Sequence, residues 1–142
     1  MIDHVTLWVK DIDESKKFYQ TTLAPLGYKL LENNTTPKWI GFGQKDIKEQ
    51  RDFWLKEGVV SGKAISCFAF TAENKKQVDD FYHAAIKAGG KDNGPPGYRP
   101  EYSSYYSGYY AAFVLDPNGY NIEAVWDDLE KGTDLVEGWK TP

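Results

Sequence analysis

A single spacing runs through this 142-residue chain and restricts its fold more than any one motif does. His4-Val5-Thr6-Leu7-Trp8-Val9 alternates polar and apolar side chains, and Cys67-Phe68-Ala69-Phe70-Thr71-Ala72 repeats the alternation 63 positions later. Phe18-Tyr19 returns at the same offset as Phe81-Tyr82, Leu23 as Ile86 and Gly27 as Gly90. Alternation with period two predicts a half-buried strand at the head of each repeat. The chain therefore reads as one module used twice.

A helix follows each of those strands. In the first, Ile12, Ser15, Phe18, Tyr19, Thr22 and Leu23 share one face, Asp11 or Asp13 caps the start, and Pro25 and Gly27 close the end. In the second, Asn74 is the cap, Val78, Phe81, Tyr82, Ala85 and Ile86 recur at helical spacing, and Gly89-Gly90 supplies a left-handed exit. Strand-like stretches come next: Tyr28 to Glu32, Trp39 to Phe42 and Asp52 to Lys56, then Tyr109 to Leu115 and Tyr120 to Trp126, the last two flanking the turn Asp116-Pro117-Asn118-Gly119. The second module's first return strand is not legible between Gly90 and Tyr102, and Gly94 to Gly108 reads as a lid or partner-facing loop. The expected organisation is one domain over residues 1–127, with module one at about 1–58 and module two at about 63–127. A tail over 128–142 lies outside it, with Leu135, Val136 and Trp139 available to dock on the body or on a second subunit.

Composition narrows the partners. Seventeen basic against 21 acidic residues give a net charge of −4, with no Lys/Arg cluster, so neither nucleic acid nor an anionic membrane is an expected partner. Five tryptophans, ten tyrosines and seven phenylalanines need a core or a binding surface. The lone Cys67 excludes an internal disulfide and any site made of several thiolates, and it suits a reducing compartment. No basic and apolar leader opens the sequence, and the longest apolar run, Tyr109 to Leu115, is far below the roughly 20 residues of a membrane helix. A soluble, cytoplasmic protein is the expectation.

Two modules of strand, helix and about three strands, together with GGKDNGPPGYRP and YYAAFVLDPNGYNIEAV, resemble the vicinal oxygen chelate superfamily: glyoxalase I, extradiol dioxygenases, fosfomycin-resistance and bleomycin-resistance proteins. The small glyoxalase-like members are the most similar in pattern. The resemblance implies an α+β fold of two tandem βαβββ modules, in which a curved mixed sheet surrounds a cavity and the helices cover its outer face. Alternation then places Val5, Leu7, Val9, Phe68, Phe70, Phe53, Leu55, Ile122 and Ala124 on the helix side. His4, Thr6, Trp8, Cys67, Ala69, Asp52, Trp54, Asn121, Glu123 and Val125 face the cavity.

The superfamily draws metal ligands from the first and last strand of each module. By position this implies His4, Asp52, Cys67 and Glu123, a set suited to zinc, nickel or manganese, with thiolate favouring zinc. Cys67 stands where histidine is usual, and His83 follows the buried Phe81-Tyr82, so ring-cleaving iron chemistry is disfavoured. Each residue also has a structural reading: His4 as a hydrogen-bonded strand residue, Cys67 as a small packed side chain, Glu123 as the partner of Arg99 or a lysine, and Asp52 as part of the exposed run Lys48 to Asp52.

Two functions follow from the resemblance. One is a metal-assisted lyase or isomerase acting on a small oxygenated organic substrate, with Glu123 moving a proton. The other is a metal-free protein of the bleomycin-resistance type that binds a small molecule and needs no cofactor. Trp8, Trp39, Trp54, Tyr102, Tyr105, Tyr106, Tyr109 and Tyr110 offer rings for stacking, and Arg99 offers a clamp for a carboxylate or phosphate. Trp8, Trp54, Arg99, Tyr102, Tyr110 and Asn121 are the candidate substrate contacts. A half-open sheet also implies a homodimer. The glycines sit at turns and helix ends, so no phosphate-binding loop is present in the sequence, and nothing places Ser66, Ser103 or Ser104 beside His4.

Overall fold

The computed structural model describes residues 3–44, 51–60, 67–100 and 108–127. Module one runs β1 (Val5–Val9), α1 (Ile12–Leu23), a short 3-10 turn (Ala24–Leu26), β2 (Tyr28–Thr35), β3 (Lys38–Gln44) and β4 (Phe53–Glu57). Module two repeats the order with β5 (Cys67–Thr71), α2 (Lys75–Lys87), β6 (Lys91–Tyr98), β7 (Tyr109–Leu115) and β8 (Asn121–Asp127). The strands form two mixed four-stranded sheets of identical topology, β1-β4-β3-β2 and β5-β8-β7-β6. In each, the first strand lies parallel to the last and the remaining pairs are antiparallel. This is the expected α+β arrangement of two similar βαβββ modules.

The helices start where the sequence provides a cap. Asp11 accepts from the backbone N–H of Asp13 and Glu14, and Asn74 accepts from that of Gln77, satisfying donors that a helix's first turn leaves free. Gly27 and Gly89 take positive φ at the two exits, where a side chain would be strained. The apolar faces of α1 and α2 then bury Phe18, Tyr19, Leu23, Val78, Phe81 and Ala85 against the sheets. The valine, leucine and phenylalanine side chains among these each contribute roughly 1.5–3 kcal/mol on burial.

One core joins the modules. Phe70 of β5 meets Phe53 of β4 and Tyr28 of β2 edge to face, at centroid distances of 5.3 and 5.2 Å. Tyr19 of α1 donates its hydroxyl to Oδ2 of buried Asp116, whose other oxygen accepts from the N–H groups of Asn118 and Tyr120 and so holds the β7–β8 turn. Asn118 returns to module one through Ser15 and the N–H of Lys10.

The missing return strand is β6, and Gly94 to Tyr98 belongs to it rather than to a loop. Its sequence, KDNGPPGY, carries two prolines and two glycines, which read as a breaker. At a sheet edge a proline costs no ladder bond, and register shifts at Asp92/Gly94 and Gly94/Gly97 accommodate the rest.

Candidate active site

The burial along β1, β4, β5 and β8 follows the predicted alternation, with one exception. Leu7, Val9, Phe53, Leu55, Phe70, Ile122 and Ala124 are buried on the helix side, while Thr6, Trp8, Cys67 and Ala69 are exposed on the other. Glu123 is the exception: it lies on the face away from the helices and is only 5% exposed.

Side chains of the second sheet enclose it. Tyr109, two β7 positions beyond the register partner of Val125, donates its hydroxyl to Glu123 Oε1 at 2.5 Å, and the Cys67 thiol donates to Oε2 at 3.6 Å. Asn121 donates to Cys67 Sγ at 3.2 Å and accepts from Asn93. The Arg99 guanidinium lies over the ring of Phe113, the register partner of Glu123, and is anchored on the carbonyls of Pro95 and Ala111. Arg99 thus serves as a fixed positive charge near Glu123 without pairing with it directly.

Burial raises the proton affinity of Glu123 above the ordinary carboxyl range, and the donated bonds from Tyr109 and Cys67 and the charge of Arg99 oppose that rise only in part. Burial, then the neighbouring carboxylate, pushes the Cys67 thiol up to about 11, so at neutral pH it is a protonated donor. Tyr109 is raised for the same two reasons, burial first. The result is one carboxylate held by two neutral donors.

The other candidates are placed as follows. His4 is exposed, and its Nδ1 is 2.8 Å from the Asp3 carboxylate. Asp52 accepts from the Tyr28 hydroxyl at 3.0 Å. The registers Val5↔Phe53 and Phe68↔Ile122 make Asp52 the counterpart of Asn121, and Trp54 the counterpart of Glu123. Module one therefore has a ring where module two has its buried carboxylate. Tyr110 turns to the helix side, where it donates to Asp79 of α2; adjacent residues of a strand point to opposite faces, so only Tyr109 of the pair reaches Glu123. Tyr102, with Tyr105 and Tyr106, lies outside the described residues, as does the tail over 128–142.

Trp8 and Trp54 occupy a separate groove of about 720 Å³ on the first sheet, lined also by Trp39, Lys56, Thr6 and Arg51. Trp39 and Trp54 pack with centroids 5.0 Å apart. Lys56 is not among the residues the sequence singles out, although the alternation puts it two positions beyond Trp54 on the same face.

A family model for the Glyoxalase/Bleomycin resistance protein/Dioxygenase superfamily matches residues 1–124. The chain belongs to this superfamily. A glyoxalase/bleomycin resistance protein from Albidiferax ferrireducens is similar at 27% identity, with 87% of this chain and 96% of that one covered and a TM-score of 0.70. The fosfomycin resistance protein FosX from Listeria monocytogenes, a mutant complexed with Mn(II) and dihydroxypropylphosphonic acid, shares the fold at 17% identity, covering 92% and 93% of the two chains with a TM-score of 0.67. A glyoxalase-related enzyme from Fulvimarina pelagi does so at 18% identity, covering 89% and 88%, with a TM-score of 0.66. No curated protein sequence matches the chain.

The donor set expected for a divalent cation in this glyoxalase-superfamily chain is His4, Asp52, Cys67 and Glu123. Within one chain the fit is incomplete. Cys67 and Glu123 are together, but His4 and Asp52 are engaged with Asp3 and Tyr28, and among the described residues no three His, Cys, Asp or Glu side chains gather as a shell. A structural or catalytic zinc site needs three or four protein ligands. Of the expected four-residue set for zinc, nickel or manganese, Cys67 and Glu123 bond each other, and His4, Asp52 and Cys67 line one pocket.

Proposed function

We propose that this superfamily member is an enzyme of the lyase or isomerase type, acting on a small oxygenated organic molecule with Glu123 as the general base. The observation that carries the reading is a carboxylate buried on the sheet face away from the helices, with raised proton affinity and, among the described residues, only neutral groups bonded to it directly. A base works best when its pKa lies near the working pH, and burial moves a glutamate in that direction. Glu123 takes a proton from a carbon next to a carbonyl and returns it to the neighbouring carbon or oxygen. Tyr109 and Cys67 steady the carboxylate, and Arg99 is placed to attract a substrate oxygen or carboxylate. Asn121 orients the thiol.

A second reading, binding without turnover, is favoured by the tryptophan groove, which has the size and apolar lining of a small-molecule site. In both readings we take the chain as a homodimer, because β1, β2, β5 and β6 are sheet edges and an uncovered edge invites pairing. Sedimentation showing only monomer at micromolar concentration contradicts that assembly. A cytoplasmic location is proposed from the single free thiol alone; among the described residues no helix is long and apolar enough to cross a membrane.

The test is a screen of 2-oxoaldehydes, their thiol adducts and catechols, followed by Glu123→Gln on any compound turned over. The enzyme reading expects a loss in kcat of about 10²–10⁴-fold. Equal turnover by the variant removes Glu123 from the chemistry. No turnover of any compound, combined with saturable binding, replaces the enzyme by the binding protein.

A further inference from the structure

The first sheet's face carries a groove whose rings and charges specify a ligand more narrowly than the proposed function does. Trp54 lies across Gly41, where a Cβ would come within 2.7 Å of its ring, and Trp8 lies across Gly58, where a Cβ would come within 2.5 Å. The absent side chains let both indoles rest on the backbone and present their faces. Trp8 is 51% exposed, an unusual state for the largest apolar side chain. Along the ladder, Lys56 is the partner of Trp8 on β1 and of Trp39 on β3, so its exposed side chain leaves the same face of the sheet as those two rings.

The charged residues lining the groove are nearly all engaged. Asp3 is hydrogen-bonded to His4 at 2.8 Å, and of the lining cations Lys38 pairs with Glu57 at 2.9 Å and Arg51 with Glu32 at 3.2 Å. Lys56 alone among these lining groups has no ion-pair partner among the described residues. An aromatic surface with one cation on the same face that has no ion-pair partner among the described residues is complementary to a flat ring bearing one negative charge.

We infer that the tryptophan groove of the first sheet binds a planar aromatic carboxylate, its ring on Trp54 and Trp8 and its carboxylate on Lys56. This rests on the proposed function only in taking the chain as a binder of small organic molecules; it does not require Glu123 to act. Thr6, on the same face, supplies a hydroxyl to the rim.

The experiment is tryptophan-fluorescence titration of the full chain with two probes of the same ring, 2-naphthoate and the neutral 2-naphthalenemethanol. Naphthoate is expected to bind roughly three- to tenfold more tightly, a preference that shrinks with added salt. Lys56→Met, an exposed substitution that keeps the apolar stem, abolishes the preference by weakening naphthoate alone, and Lys56→Arg restores it. Trp8→Ala weakens both probes. Equal affinity for the two probes, or a preference that survives Lys56→Met, overturns the inference while leaving the binding reading intact. Absence of saturable quenching by either probe overturns both. The Glu123 reading stands or falls separately on turnover.

Discussion

At the scale of single residues, Cys67 and Glu123 set each other's chemistry. The thiol, raised to about 11 by burial and then by the carboxylate, stays protonated through the neutral range, although the residue is exposed on one side. A thiol reacts as its thiolate, so alkylation of Cys67 by iodoacetamide at pH 8 should be tens- to hundreds-fold slower than that of an ordinary cysteine. Glu123→Gln removes the negative neighbour and should accelerate it. A rate equal to that of a free cysteine, unchanged in the variant, contradicts the described pair. The sequence placed both side chains on the correct face through alternation alone. It did not reveal that Tyr109 caps the carboxylate or that Tyr110 leaves for Asp79, because a run of two tyrosines has no internal phase and register against β8 is what fixes it.

Among the elements, the two glycines under the indoles make a contrast that separates packing from binding. Gly41 lies in β3 with Trp54 ring carbons at 2.7 to 3.0 Å from where a Cβ would be, and that ring is also packed on Trp39. Gly41→Ala must displace a packed ring, and a cost of about 1–3 kcal/mol in unfolding free energy is expected. Gly58 faces the half-exposed Trp8, which can swing toward solvent. Gly58→Ala should therefore cost less than Gly41→Ala while still weakening naphthoate. Chemical denaturation of the two variants checks the order, and equal costs contradict the packing described. Helices α1 and α2 were legible because caps, apolar faces and exit glycines all agreed. Strand β6 was not, since its edge position, which makes Pro95 and Pro96 acceptable, is a property of the sheet rather than of the segment.

In the whole molecule, duplication has produced two sheets of one topology with different surfaces. The first carries three tryptophans and Lys56, and the second carries Glu123 with its donors. The repeat exposed the shared topology, but the spacing between modules is constant only through the helices. Asp52 therefore looked like the counterpart of Glu123 until the registers assigned that place to Trp54. Glu123 is a buried carboxylate with raised proton affinity, the property that the proposed base requires. An acid whose folded pKa is raised binds more protons folded than unfolded, so its contribution to stability falls as pH rises from the unfolded value through the folded one. The direct measurement is the titration of the Glu123 side-chain carboxyl by carbon-13 NMR in the intact chain. A midpoint above the ordinary 4.5 is expected, moving higher still in Tyr109→Phe, which removes a bond that favours the ionised form. A midpoint at or below 4.5, or one that Tyr109→Phe leaves in place, contradicts the account.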